Sequence, residues 1–155
     1  MKREETMQAI TEKFREMSTE IIMFHQAVAD ELGLHITDHK SLELIHRFGA
    51  MPAGRLGELT GLTTGSVTGI IDRLEKAGYV RRTNDPKDRR RTIIESTKNR
   101  KLERKIETIF MHLHERMRKL MSSYSDGQLS FLFDSTTEFT DQIREVSKRL
   151  RHSQG

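Results

Sequence analysis

The sequence predicts a mostly helical α+β fold, in which helices at both ends flank three shorter helices and one small hairpin. Three observations predict it. Apolar residues recur at steps of three and four over long stretches near both ends. Three shorter segments of the same period lie between Thr37 and Ala77, punctuated by Gly49, Pro52 and Gly61. After Gly78 the period changes to extended chain around the turn signal Asn84-Asp85-Pro86-Lys87-Asp88.

The first helix is expected from about Thr6 to Leu32. Met7, Ile10, Phe14, Met17, Ile21, Phe24, Val28 and Leu32 form its stripe, close to a heptad seam. Gly33 suits a left-handed end. Thr37 is placed to cap a second helix carrying Leu42, Leu44, Ile45 and Phe48, stopped near Gly49. Pro52 opens a short third helix, Ala53 to Thr60, with Leu56 and Leu59 inward. Thr60-Gly61-Leu62-Thr63 is a tight turn. Thr63 or Thr64 caps the fourth helix, which runs to about Ala77 with Val67, Ile70, Ile71 and Leu74 inward. Tyr79–Thr83 and Arg91–Glu95 read as two strands of a hairpin. A long helix is expected from Thr97 to about Met121. A last one starts at Ser125, where Ser-Asp-Gly-Gln makes a capping box with Gln128.

Composition narrows the function classes. The chain has 155 residues and no cysteine. Disulfide scaffolding, thiolate catalysis and cysteine-ligated zinc are excluded. No apolar run approaches the roughly 20 residues that span a bilayer, and Met1–Phe14 lacks the apolar core of a secretion signal. A cytoplasmic protein is expected, with no membrane partner. The net charge is +4. Between Arg81 and Arg91 six basic residues face two acids, so that segment alone carries the surplus of the whole chain.

The informative feature is the order helix, short helix, tight turn, helix, basic hairpin. That is a winged helix-turn-helix, in which the helix after the turn enters the major groove of duplex DNA and its predecessor braces it. The outward residues at the start of that helix are small or hydroxylated: Thr63, Thr64, Gly65, Ser66, Thr68 and Gly69. Small side chains permit a deep approach, and hydroxyls bond base edges or phosphates. Two glycines inside a helix cost roughly 1 kcal/mol each relative to alanine, which a close approach to another surface would explain. Arg73 is a further candidate DNA contact, and Asp72 is also expected outward. In the hairpin, Lys87, Arg89, Arg90 and Arg91 are candidate contacts to a narrow minor groove and its phosphates. Asp88 is placed to orient Arg90, or alternatively only to cap the turn.

These residues resemble the MarR (multiple antibiotic resistance regulator) family. Leu56-Gly57-Glu58-Leu59-Thr60-Gly61-Leu62-Thr63 is similar to its support helix and turn. Gly65-Ser66-Val67-Thr68 with Ile71-Asp72-Arg73-Leu74-Glu75-Lys76-Ala77-Gly78-Tyr79-Val80 is similar to its recognition helix and first wing strand. Asp85-Pro86-Lys87-Asp88-Arg89-Arg90-Arg91 is similar to its wing, with the Asp-x-Arg signature at Asp88 and Arg90. The resemblance implies a homodimer with interlocking terminal helices, a pseudo-palindromic operator, repression, and release by a small phenolic or anionic effector. It implies Arg90 in the minor groove. The organisation it suggests is a dimerisation helix at residues 1–36, a DNA-binding domain at 37–97 and dimerisation helices at 98–155.

Other chemistry is weakly supported. No nucleophile elbow, phosphate loop or dinucleotide fingerprint occurs, so an enzyme is not expected and no cofactor is implied. No His-Glu-x-x-His motif occurs, so no metal site is expected, and His25, His39 and His46 read as ordinary polar surface, the alternative being that they line an effector cavity. Physics favours the dimer as well: long apolar stripes at both ends exceed what a winged helix of about 60 residues covers. The alternative is a winged-helix protein-interaction module that does not bind DNA.

Overall fold

The computed structural model of the chain describes residues 2–85, 88, 92–97 and 99–152. Among the described residues, six helices and three short strands are laid out as α1 (Arg3–Leu32), α2 (Ile36–Phe48), β1 (Met51–Pro52), α3 (Ala53–Thr60), α4 (Thr64–Lys76), β2 (Val80–Asn84), β3 (Thr92–Ser96), α5 (Arg100–Met121) and α6 (Asp126–His152). The mostly helical winged-helix class is as expected. Two compact units divide the chain, Met1–Glu103 and Arg104–Gly155. Among the described residues, no helix is long and apolar enough to cross a membrane.

The first unit holds the core. It is built from Val28, Ala29 and Leu32 of α1, Leu42 and Ile45 of α2, Leu56 of α3, and Val67, Ile70, Ile71 and Leu74 of α4. Met51, Tyr79, Val80 and Ile94 close it from the sheet side. Gly33 (φ 66°) ends α1 in the left-handed region. Only Leu34 and His35 then separate α1 from α2, so α2 starts at Ile36 with His35 as its cap residue. Thr37 therefore sits inside the first turn and does not cap, contrary to expectation. Phe48 is exposed, with the Arg47 guanidinium 5.4 Å from its ring centre.

The sheet is antiparallel, in the order β1-β3-β2. Val80 faces Ser96 and Asn84 faces Thr92, while Met51 and Pro52 pair with Ile94 and Ile93. Strand β1 was not expected, because two residues are too few to show a period. The long helix also starts later than expected. The Thr97 hydroxyl donates to Gly78 O at 2.6 Å and its N–H to Tyr79 O at 2.9 Å. Thr97 thus closes the sheet, and α5 opens at Arg100.

In the second unit, α6 has the expected capping box. The Ser125 N–H donates to Gln128 Oε1 at 2.8 Å, and the Gln128 N–H donates to Ser125 Oγ at 3.3 Å. None of this unit's described residues is buried. Phe131, Phe133 and Ile143 are 74%, 70% and 68% exposed.

Candidate nucleic-acid interface

Helix α4 has one sealed face and one open face. Val67, Ile70, Ile71 and Leu74 are at most 3% exposed, and α2, α3 and β2 pack around them. Their spacing of 3, 1 and 3 explains this, since it gathers four branched side chains into one stripe. The approach of α3 is close. A Cβ on Gly57 would stand 3.4 Å from Leu62 O and 3.6 Å from Val67 Cγ2. Gly61 (φ 72°) supplies the left-handed residue that lets the chain turn from α3 into α4 in so few steps.

The open face begins at the cap. Thr63 Oγ1 accepts from the Ser66 N–H at 3.3 Å and lies 3.0 Å from Ser66 Oγ. This holds the first turn while leaving both side chains exposed. Thr64, Gly65 and Thr68 are exposed, and Gly69 is half-buried. The Thr68 hydroxyl donates to Thr64 O at 2.9 Å. A Cβ on Gly65 would meet nothing within 4 Å, so no packing among the described residues accounts for that glycine. A Cβ on Gly69 would touch only the Arg73 guanidinium, at 3.4 Å. Thr63, Thr64, Ser66, Thr68 and Gly69 therefore share one accessible patch, and the free amides of the first turn open onto it.

Arg73 is engaged elsewhere. Its Nε and Nη2 donate to the two carboxylate oxygens of Asp38 at 2.8 and 2.7 Å, a bidentate pair between α4 and α2. Asp38 is 2% exposed, whereas the Arg73 side chain is about half exposed. Hydrogen bonding to Asp38 raises the Arg73 pKa above its ordinary value. Asp38 also lies in the first turn of α2, where the helix dipole favours an anion.

The arginines at the base of the hairpin are similarly committed. Arg82 pairs with Asp72 and Glu75 on α4, and its backbone N–H donates to Glu75 Oε1 at 2.9 Å. Those carboxylates raise its pKa, the Asp72 hydrogen bond most of all. Arg81 pairs with Glu95 across the strands at 2.8 Å. The Arg82 pairs tie the hairpin to α4. Asp88 is exposed, and its N–H donates to Asp85 O at 3.2 Å, a turn bond. Lys87, Arg89, Arg90 and Arg91 lie outside the described residues.

Of the histidines expected at the polar surface, His46 is exposed and His25 half-buried, whereas His39 departs from it. His39 is 3% exposed, and its Nε2 lies 3.1 Å from His25 Nδ1. Burial lowers the pKa of His25, His39 and His46; Glu103 opposes the shift at His46. His46 Nδ1 stands 3.3 Å from Ser96 Oγ. Sequence reasoning overlooked Asp38 and the His25–His39 contact because the partners are 35 and 14 residues apart. The one available signal was an acid and a histidine at helix positions otherwise spaced as core.

Residues 34–92 match the MarR family. YcgE of Bacillus subtilis, an uncharacterized HTH-type transcriptional regulator, is 41% identical over 149 residues, covering 96% of each chain. Among solved structures, the transcriptional regulator Tm0710 of Thermotoga maritima superposes with a TM-score of 0.61 at 27% identity, over 89% of this chain and 96% of that one. FabT of Streptococcus pneumoniae in complex with DNA superposes with a TM-score of 0.69 at 19% identity, over 90% and 98% of the two chains.

Proposed function

The chain belongs to the MarR family of DNA-binding transcription regulators, and from that membership we propose that it is a repressor, binding a pseudo-palindromic operator as a homodimer and releasing it on binding a small effector. It is a regulator and not an enzyme. The observation that carries the reading is the two-faced α4. Its apolar face is at most 3% exposed, while its opposite face offers hydroxyls and a glycine that no packing among the described residues requires. Thr63, Thr64, Ser66, Thr68 and Gly69 enter the major groove. Lys87, Arg89, Arg90 and Arg91 meet the minor groove and flanking phosphates, with Asp88 orienting Arg90. Arg73, held by Asp38, sets the angle of the rod and reaches phosphate only with its exposed edge. FabT, of similar fold, was captured on DNA, which supports the same use of the lobe here.

The homodimer is supported by apolar surface that the chain leaves in water. Met7, Ile10, Met17 and Ile21 of α1 and Phe131, Phe133, Ile143 and Leu150 of α6 are all more than 45% exposed. A second copy covers such stripes and sets two recognition helices about 34 Å apart, one turn of DNA. An effector of phenolic or anionic character is supported by a groove of about 380 Å³ between α2 and α3. Leu44, Leu59 and Leu62 line it, Lys40 stands at it, and the buried Ser41 hydroxyl has no hydrogen-bond partner among the described residues.

The test starts from duplexes selected out of random sequence by the full chain. Affinity should fall steeply with salt, as counterion release demands. Arg90→Ala should weaken binding by about 1–3 kcal/mol at fixed salt with the fold unchanged. A flat salt response together with undiminished Arg90→Ala binding would overturn the proposal and leave a protein-interaction module.

A further inference from the structure

Three side chains outside the DNA-facing surface converge where α1 meets α2. His25 comes from α1, and His39 and Glu43 come from α2. His39 and Glu43 are four apart, so they project from one helix face. One donor atom from each of the three lies within 4.8 Å of the other two. The nearest two, His25 Nδ1 and His39 Nε2, are 3.1 Å apart. Two nitrogens bound to one tetrahedral ion at zinc–nitrogen distances stand about 3.3 Å from each other. The imidazoles thus already hold the separation that a shared ion requires.

We propose that His25, His39 and Glu43 form a binding site for one divalent ion of the zinc class, with the fourth position left to water or an outside ligand. Two imidazoles and a carboxylate are the donor set that such an ion prefers, whereas calcium and magnesium demand more oxygens. Burial lowers the pKa of both histidines, helped by Lys40 at His25 and by His25 at His39. The hydrogen bond between the rings places a proton on one of the two facing nitrogens, and ligation shifts it to the outer nitrogen of that ring. Lys40 takes one Glu43 oxygen at 2.6 Å, which leaves the other for the ion. A hydrogen bond between two neutral imidazoles accounts for the His–His contact but gives Glu43 no part in it. The site also has a mechanical consequence, which rests on the regulatory reading above. It clamps α1 to α2 one residue from Asp38, the anchor of Arg73 on the recognition helix.

The experiment uses the full chain, stripped with a chelator and dialysed, then titrated with zinc against a chromogenic competitor. Cobalt serves as a spectroscopic probe of nitrogen and oxygen ligation. One ion per chain is expected. His25→Gln and Glu43→Gln should each weaken binding about tenfold or more with unchanged circular dichroism, and His112→Gln with His114→Gln should not. Absence of one-to-one binding, or full affinity in Glu43→Gln, would overturn the site. Should His25→Gln fail to fold, Glu43→Gln decides, because its side chain is half-exposed and keeps its shape. Operator affinity with and without zinc is read separately. No change alongside intact zinc binding overturns the coupling to DNA and leaves the site standing, so the two failures are distinguishable.

Discussion

Helices α4 and α6 carry similar apolar stripes and meet opposite fates. In α4 the stripe is at most 3% exposed, whereas in α6 Phe131, Phe133 and Ile143 are about 70% exposed. Helical spacing therefore specifies that a face exists and leaves open what covers it. For α4 the cover comes from the same chain, through α2, α3 and β2. For α6, no described residue of its unit is buried, and the cover proposed above is a second copy. In the proposed function, α4 reads DNA and the uncovered helices supply the symmetry that duplicates it.

The comparison breaks most sharply at Leu74, which is fully buried. Leu74→Ala should cost about 2–5 kcal/mol in urea unfolding, as a transfer term plus a cavity. Ile143→Ser should leave that packing intact and instead raise the dissociation constant of the dimer in sedimentation. If Ile143→Ser sediments like the unaltered chain, α6 is not the dimer cover.

Next in size is the clamp behind α4. Asp38→Asn removes the charge that Arg73 grips from a site that is 2% exposed. Loss of a fully buried pair costs 3–5 kcal/mol, but the half-exposed guanidinium is screened, so about 1–3 kcal/mol is expected. Operator affinity should fall with it, because α4 loses its brace. Stability lost with affinity retained would make the pair structural only.

Gly69→Ala sharpens the difference between the two faces of α4. Alanine in a helix interior is favoured by about 0.5–1 kcal/mol, and its Cβ meets only the movable Arg73 side chain. Thermal stability should rise while operator affinity drops. A gain in both would remove Gly69 from the groove.

The smallest expected effect is on pH dependence. The folded chain holds His25, His39 and His46 below their ordinary value of 6.5, chiefly by burial. Below 6.5 the unfolded chain takes up protons that the folded one resists. Stability is thus full above that pH and is lost as pH falls through the lower folded values. His39→Gln should flatten this slope in denaturation between pH 7 and 5. An unchanged slope would assign it to other groups.

Much of the fold was legible because its signals are local. The stripes of α1 and α4, the left-handed end at Gly33, the Thr63 cap and the Ser125 box each depend on residues within about one turn of each other. Strand β1 escaped because its reason lies in Ile93 and Ile94, some forty residues on. The small, polar patch on α4 was legible through the same short spacing, but the partner of Arg73 was not. Its outward position on the helix wheel was right, and its side chain nonetheless folds back to a carboxylate that periodicity cannot see.

By itself, then, the order of residues determined which segments coil, where they stop, and which edge of α4 stays small and polar. Those outcomes follow from backbone dihedrals and side-chain period, and they act over a few residues. Tertiary structure alone decided that Asp38 grips Arg73, that Arg82 ties the hairpin to α4, and that His25 meets His39 beside Glu43. Each of these needs two segments brought together by burial of the core, and in water neither partner has reason to choose the other until that burial has removed the solvent between them.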